Sequence, residues 1–199
     1  MIKMSQSKDT LGYGKEMIRK SIHLSTSLFA FLYYYFDKPL MLAISLVLTA
    51  GFLFVDLLRM FSGQIEKYFH IVFSGLLRNR EMSRDLTGAT YLFAGISLTI
   101  LLFERNIAIA SILVLTISDT IAAVIGKKFG RNKIGAKSVE GSIAFFISTV
   151  IIIWFVIKPD IFLLLFISAL ISFIEAAPLF INDNLSIPLF SGLLLTVFH

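Results

Sequence analysis

Apolar runs alternate with short charged stretches along the whole chain, and the runs have the length of membrane-crossing helices. Seven segments stand out: Met17–Phe36, Pro39–Leu58, Ala89–Phe103, Ile107–Ile125, Gly141–Ile157, Ile161–Ala177 and Ile187–Phe198. A helix needs about 20 residues to cross the hydrocarbon core, and roughly 17 suffice. The third and seventh fall short. The third gains length by taking in Arg84–Gly88, the seventh by taking in Asn184–Ser186. Between the second and third segments, Ile65, Tyr68, Phe69, Val72, Phe73, Leu76 and Leu77 recur at helical spacing. Glu66, Lys67 and His70 lie off that stripe, a pattern that predicts an amphipathic helix in the membrane interface. The expected fold is an all-α integral membrane protein, one domain over residues 1–199. It has about seven transmembrane helices plus the cytoplasmic interfacial helix.

Composition agrees. Hydrophobic residues make up 57% of the 199 residues and charged residues 16%, with a mean hydropathy of +0.85. A soluble domain of this size cannot hide so much apolar surface, and a disordered chain needs far less of it. The strand alternation of a membrane barrel is absent. The first segment does not read as a cleavable leader, because bulky Tyr33–Tyr35 stand where small residues are needed. Cysteine is absent, which excludes disulfides, iron–sulfur clusters and thiolate zinc sites. The three histidines are too scattered to suggest a histidine metal cage.

The net charge is +5, which in a soluble protein would suit nucleic acid. Its distribution points elsewhere, and no nucleic-acid partner is expected. Fifteen of the eighteen Lys and Arg fall on the N-terminal arm and on the second and fourth loops. Lys38, Arg105 and Lys158 occupy the others. The excess marks the cytoplasmic side. The N-terminus is therefore expected inside and the C-terminus outside, with Tyr33–Tyr35 and Trp154 at the outer interface.

Ionisable groups inside a membrane need an explanation. His23, Asp56, Asp119 and Glu175 all lie towards the inner ends of their spans, and Glu81, Asp85, Glu140, Asp183 and Asn184 lie in inner loops. The densest run is Ser118-Asp119-Thr120, then Gly126-Lys127-Lys128-Phe129-Gly130-Arg131-Asn132-Lys133, then Lys137-Ser138-Val139-Glu140-Gly141. Glycines admit phosphate oxygens close to backbone, lysines supply charge to phosphates, and carboxylates hold magnesium. The run suits a nucleoside triphosphate, yet it is not a Walker A loop, because the glycine spacing and the closing Gly-Lys-Ser/Thr are missing. A loop that only obeys the positive-inside rule and touches anionic lipid would need neither Glu140 nor the glycines.

At these residues the chain resembles the family of dolichol kinase, phytol kinase and the CTP-dependent diacylglycerol kinase. The resemblance runs from Arg19 to Leu193. Arg19-Lys20-Ser21-Ile22-His23 is similar to the family's Arg-Lys-x-x-His. Arg78-Asn79-Arg80-Glu81 and Thr87-Gly88-Ala89-Thr90-Tyr91 are similar to its Arg-x-x-Glu and Thr-Gly-Ala-Thr-Tyr. Asp119 to Gly141 resembles its Asp-x-x-Ala, Gly-x-x-x-Gly and Lys-Ser-x-Glu-Gly core. Glu175-Ala176-Ala177-Pro178 and Asp183-Asn184-Leu185-Ser186-Ile187-Pro188 resemble its closing motifs.

The resemblance implies an integral-membrane kinase that moves the γ-phosphoryl group of CTP to a lipid alcohol, with magnesium as cofactor. Asp119, Glu140 and Asp183 would hold the metal. Lys127, Lys133 and Lys137, with Gly126, Gly130, Ser138 and Asn184, would bind the nucleotide. Asp119, Lys137, and either Glu175 or His23 to orient the hydroxyl, would carry the chemistry. Arg78, Glu81 and Lys20 would support the site. Two other classes stay open: a phosphatidate cytidylyltransferase, whose layout is similar, and a non-catalytic membrane carrier. The acceptor alcohol and the oligomeric state are not legible.

Overall fold

The computed structural model describes residues 13–73, 85–135, 137–177 and 181–198, and 86% of these are helical. The helices are α1 (Tyr13–Ser25), α2 (Ser27–Tyr35), α3 (Lys38–Phe61), α4 (Gly63–Phe73), α5 (Gly88–Leu102), α6 (Arg105–Phe129), α7 (Val139–Val156), α8 (Ile161–Ala176) and α9 (Asp183–Phe198). Two short strands, β1 (Lys133–Ile134) and β2 (Lys137–Ser138), pair antiparallel between α6 and α7.

α6 is apolar on nearly every side, so it is covered on every side. Within its most apolar stretch 67% of residues are buried, against 17% for α3 and 39% for α7. α1, α2, α5, α7 and α9 pack around it; α8 closes the ring between α7 and α9, and α3 lies outside on α5. Small residues on α6 (Ala108, Ala110, Ser111) let neighbours approach closely. The hydroxyls of Ser111, Thr116 and Thr120 donate to carbonyls one turn back, at 2.8, 2.9 and 2.7 Å, which satisfies them without water.

The distribution of residues is inverted relative to a soluble bundle. Phe162 is 81% exposed while Asp56 is 1% exposed. On α1, Ile18, Ile22 and Leu24 face outwards while Glu16, Lys20 and His23 are buried.

α3, α6 and α7 are long and apolar enough to cross a membrane, whereas α5, α8 and α9 are apolar but shorter. The expected first span is two helices. The hydroxyls of Ser25 and Thr26 take the carbonyls of Ile22 and His23, at 2.6 and 2.5 Å, and this competition with the backbone breaks the helix at Thr26. The expected extension of the third segment back to Arg84 does not form from Asp85 to Thr87, and α5 starts at Gly88. The seventh does gain its extension, because the Asn182 side chain accepts the Asn184 N–H at 3.0 Å and opens α9 early. α9 crosses α5 so tightly that a Cβ on Gly95 would strike the Asn184 carbonyl.

The amphipathic stripe forms α4 as far as Phe73. Phe69 turns inwards to Arg59, whose guanidinium sits 5.1 Å above its ring, while Tyr68, Ile71 and Val72 face outwards. Leu76, Leu77, Arg78 and Glu81 lie outside the described residues.

Candidate functional site

The buried charges of the bundle gather at the end where α6 finishes and α7 and α9 begin. Asp119 is the centre of the first group. It follows a π-helical turn, Val114–Ser118, in which the Asp119 N–H reaches back five residues to Val114. Such turns release backbone carbonyls from the regular ladder and recur at functional sites. Leu115 provides one: His23 Nε2 lies 3.1 Å from its oxygen. A carbonyl only accepts, so this contact places the imidazole proton on Nε2. The same nitrogen is 3.6 Å from Asp119 Oδ2. Lys20, one turn before His23, ion-pairs with Asp119 Oδ2 and reaches its backbone oxygen at 3.5 Å. Glu16, one turn before Lys20, is buried and lies 3.8 Å from Lys127. Glu16, Lys20 and His23 thus form one polar face of α1 laid along α6.

Lys137 centres the second group. Its Nζ is 2.7 Å from Glu175 Oε1 and 3.2 Å from Asp183 Oδ2, and it also donates to the Glu175 backbone oxygen. One ammonium therefore joins the end of α8 to the start of α9. Burial pulls Lys137 towards neutrality, but Asp183 and Glu175 outweigh it and hold the ammonium above the usual lysine range. Asp119 contributes in the same direction, so the two groups share one electrostatic field. Glu175 is 4% exposed, and its Oε2 carries no hydrogen bond.

The other sequence-assigned residues are committed elsewhere. Glu140 Oε1 accepts the N–H groups of Arg131 and Asn132 at 3.0 and 3.2 Å, folding the basic hairpin back on α7, while its Oε2 is buried without a hydrogen bond. Among the described residues no three His, Asp or Glu side chains converge as a metal site, and Asp119, Glu140 and Asp183 are not brought together as one. Gly126, Gly130 and Gly141 meet protein rather than open space. A Cβ on Gly126 would lie 2.8 Å from Ser138 Oγ, and one on Gly141 2.9 Å from the Ala122 oxygen. They are the contact through which α6 and α7 cross. Ser138 Oγ accepts the Gly141 N–H at 3.2 Å and caps α7. Asn184 Nδ2 donates to the Gly88 oxygen at 2.9 Å and ties α9 to α5. Lys133 is exposed on the hairpin.

A separate charged cluster escaped the sequence assignment. Asp56 Oδ1 accepts Arg59 Nε at 2.9 Å. Its Oδ2 accepts the Thr87 N–H at 2.8 Å, the Thr87 hydroxyl at 3.0 Å and the Thr90 hydroxyl at 2.6 Å. The cluster pins α3 to the start of α5. The three-residue step from Asp56 to Arg59 signalled it in part. Glu16 escaped the assignment too, and its spacing of four and three residues to Lys20 and His23 on α1 was the signal.

No family model matches the chain, and no solved structure matches it. Two relatives do. An uncharacterized protein of Rickettsia prowazekii is 33% identical over 195 residues, covering 92% of this chain and 94% of its own length. An uncharacterized protein of Methanocaldococcus jannaschii is 33% identical over 181 residues, covering 87% of this chain and 89% of its own. Both alignments run across nearly the whole bundle, and the chain belongs to the family that these bacterial and archaeal proteins represent.

Proposed function

We propose that the chain is a multi-pass membrane enzyme that transfers the γ-phosphoryl group of CTP to the hydroxyl of a membrane lipid alcohol. The observation that carries the reading is the coupling of Lys20–Asp119–His23 with Lys137–Glu175–Asp183 at one end of an otherwise apolar bundle. Buried charge of this kind is costly in a membrane and marks function. In the proposed topology α1–α2, α3, α5, α6, α7, α8 and α9 make seven crossings. The N-terminus and the charged end face the cytoplasm, where nucleotides are found. The outward-facing apolar residues of α1 and α8 support a lipid surround. So does α4, which presents Tyr68, Ile71 and Val72 at the level of the charged end.

The hydroxyl oxygen attacks the γ-phosphorus, the bond to the β–γ bridging oxygen breaks, and CDP leaves. Such transfers depend on positioning and charge more than on covalent help from the protein. Lys137 and Lys20 are the lysines held at the site, and Lys127 and Lys133 stand at its entrance to meet the triphosphate. Asp119 fixes Lys20 and lies beside the His23 ring. Glu175, with one oxygen held by Lys137 and the other free, orients the hydroxyl and accepts its proton. The carboxylates do not fit a resident magnesium ion, and no step here passes through one; magnesium enters as part of the nucleotide substrate.

The test uses purified protein in lipid vesicles and CTP labelled at the γ or the α position. Label from the γ position in lipid is expected. Label from the α position would instead make the protein a cytidylyltransferase, and no label with any alcohol or phosphate acceptor would leave a carrier. Topology has its own test, because the chain has no native cysteine. A Lys133→Cys protein should react with a membrane-impermeant thiol reagent only from the cytoplasmic side, and Lys158→Cys only from the opposite side.

A further inference from the structure

Buried hydroxyls in this bundle divide into two sets. Those of Ser111, Thr116 and Thr120 on α6 are spent on carbonyls of their own helix. Those of Ser142 on α7, Ser168 and Ser172 on α8 and Ser186 on α9 are buried without a partner, as is Glu175 Oε2; the same holds for the Tyr33 and Ser191 hydroxyls and for Glu140 Oε2. Ser168, Ser172 and Glu175 follow one another at steps of four and three residues, so they share one face of α8. α8 packs against both α7 and α9. Lys137 reaches from the strand before α7 to Glu175 and Asp183, which brings the starts of α7 and α9 to the end of α8. Ser142 lies in the first turn of α7 and Ser186 in the first turn of α9. A buried hydroxyl without a partner is a liability unless a ligand or water meets it.

We infer that Ser142, Ser168, Ser172, Ser186 and Glu175 line the acceptor subsite between α7, α8 and α9, and that the acceptor is a glycerol-based lipid rather than a polyprenol. The inference rests on the phosphotransfer reading above. A single hydroxyl at Glu175 reaches Ser172, about 4.5 Å along the helix axis. It cannot also reach Ser168, about 10 Å along the same face. Meeting both takes further oxygen atoms a few bonds from the hydroxyl, as the ester oxygens of a diacylglycerol are. A polyprenol offers only hydrocarbon there. The subsite also assigns the proton acceptor to Glu175 rather than His23, because Glu175 shares the α8 face with Ser168 and Ser172, whereas His23 lies on α1 against Leu115 of α6.

The test measures γ-label transfer from CTP by the full chain in vesicles, with dioleoylglycerol or a long-chain polyprenol as acceptor. Wild-type protein is expected to label dioleoylglycerol. Ser168→Ala should raise KM for dioleoylglycerol about fivefold, the worth of one hydrogen bond, with kcat nearly unchanged and no change in KM for polyprenol. Ser172→Ala should raise KM for both, because it lies within reach of the hydroxyl itself. Both variants remove only an unpaired hydroxyl, so thermal unfolding should not fall below that of wild type. Labelling of polyprenol alone, or a Ser168→Ala effect that is nil or equal for both acceptors, overturns the inference and leaves the kinase reading intact. Absence of γ-label in either lipid overturns the kinase reading, and this inference with it.

Discussion

Asp56 and Asp119 are both buried carboxylates at the same end of the bundle, and their surroundings differ in kind. Asp56 has every oxygen engaged: Arg59 on one, and Thr87 and Thr90 on the other. Arg59 in turn donates to the Asp85 backbone oxygen. Nothing in that cluster waits for a ligand, and its members come from α3, from α5 and from the residues just before α5 that it fastens together. Asp119 shares one oxygen between Lys20 and His23 and lies in the field of Lys137, which divides itself between Glu175 and Asp183. That group includes a buried carboxylate oxygen with no partner. Burial alone therefore does not mark a functional acid in this protein. Between these two acids, the completeness of the hydrogen bonds separates a fastening from a site.

The largest expected effects come from breaking the two acids in turn. Asp56→Ala removes the carboxylate that Arg59, Thr87 and Thr90 share, and taking one partner from a buried ion pair typically costs about 3–5 kcal/mol; unfolding in mild detergent should show the loss directly. Asp119→Asn keeps shape and hydrogen-bonding capacity but drops the charge. It should leave a folded protein whose γ-label transfer falls at least about 100-fold, in the range seen when a preorganised charge is removed from a site. A fully active Asp119→Asn protein, or an Asp56→Ala protein as stable as wild type, would erase the distinction.

Gly141→Ala tests a contact of the fastening kind inside the motif that reads as phosphate-binding. The added Cβ meets a backbone oxygen at 2.9 Å and the Gly126 Cα at 3.3 Å, neither of which can swing aside. A loss of about 1–3 kcal/mol is expected. Unchanged stability with a raised KM for CTP would return the glycine to the nucleotide.

These cases show where the sequence was informative. Helix positions followed from apolar runs, because a helix covered by lipid or by other helices must be apolar over its length. The convergence of Asp119, Glu175, Asp183 and Lys137 at one end followed from counting polar residues at span ends. Partners did not follow. Lys20 meets Asp119 across 99 residues of chain, and only the packing of α1 on α6 brings them together. The glycines were ambiguous for a physical reason: a missing Cβ admits a phosphate or another helix equally well. The break at Thr26 and the π turn before Asp119 depend on individual hydroxyls and carbonyls that hydropathy does not register.

Lys137 offers a pH test of the second group. Its folded pKa is raised, so its contribution is complete below the unfolded lysine value of about 10.4 and is lost as pH rises through the folded value. Thermal stability should stay level from neutral pH to about pH 9.5 on this account and fall beyond about pH 10.4. In Lys137→Gln the fall should be smaller and the neutral-pH stability already lower. An identical alkaline fall in both proteins would mean that Lys137 does not hold α8 and α9 together.

The smallest effect decides the role of Ser138, which a Lys-Ser-x-Glu-Gly reading gives to the nucleotide. Its Oγ is 3.2 Å from the Gly141 N–H, and the residue is 3% exposed with its side chain held against Gly126 and Gly130. That is the geometry of a helix cap. Ser138→Ala should therefore cost about 1 kcal/mol of stability and leave KM for CTP unchanged. Ser138→Thr, which restores the hydroxyl but adds a methyl group beside the glycines, should not recover it. A raised KM with full stability would place Ser138 among the groups that wait for a ligand, with Glu175 rather than with Asp56.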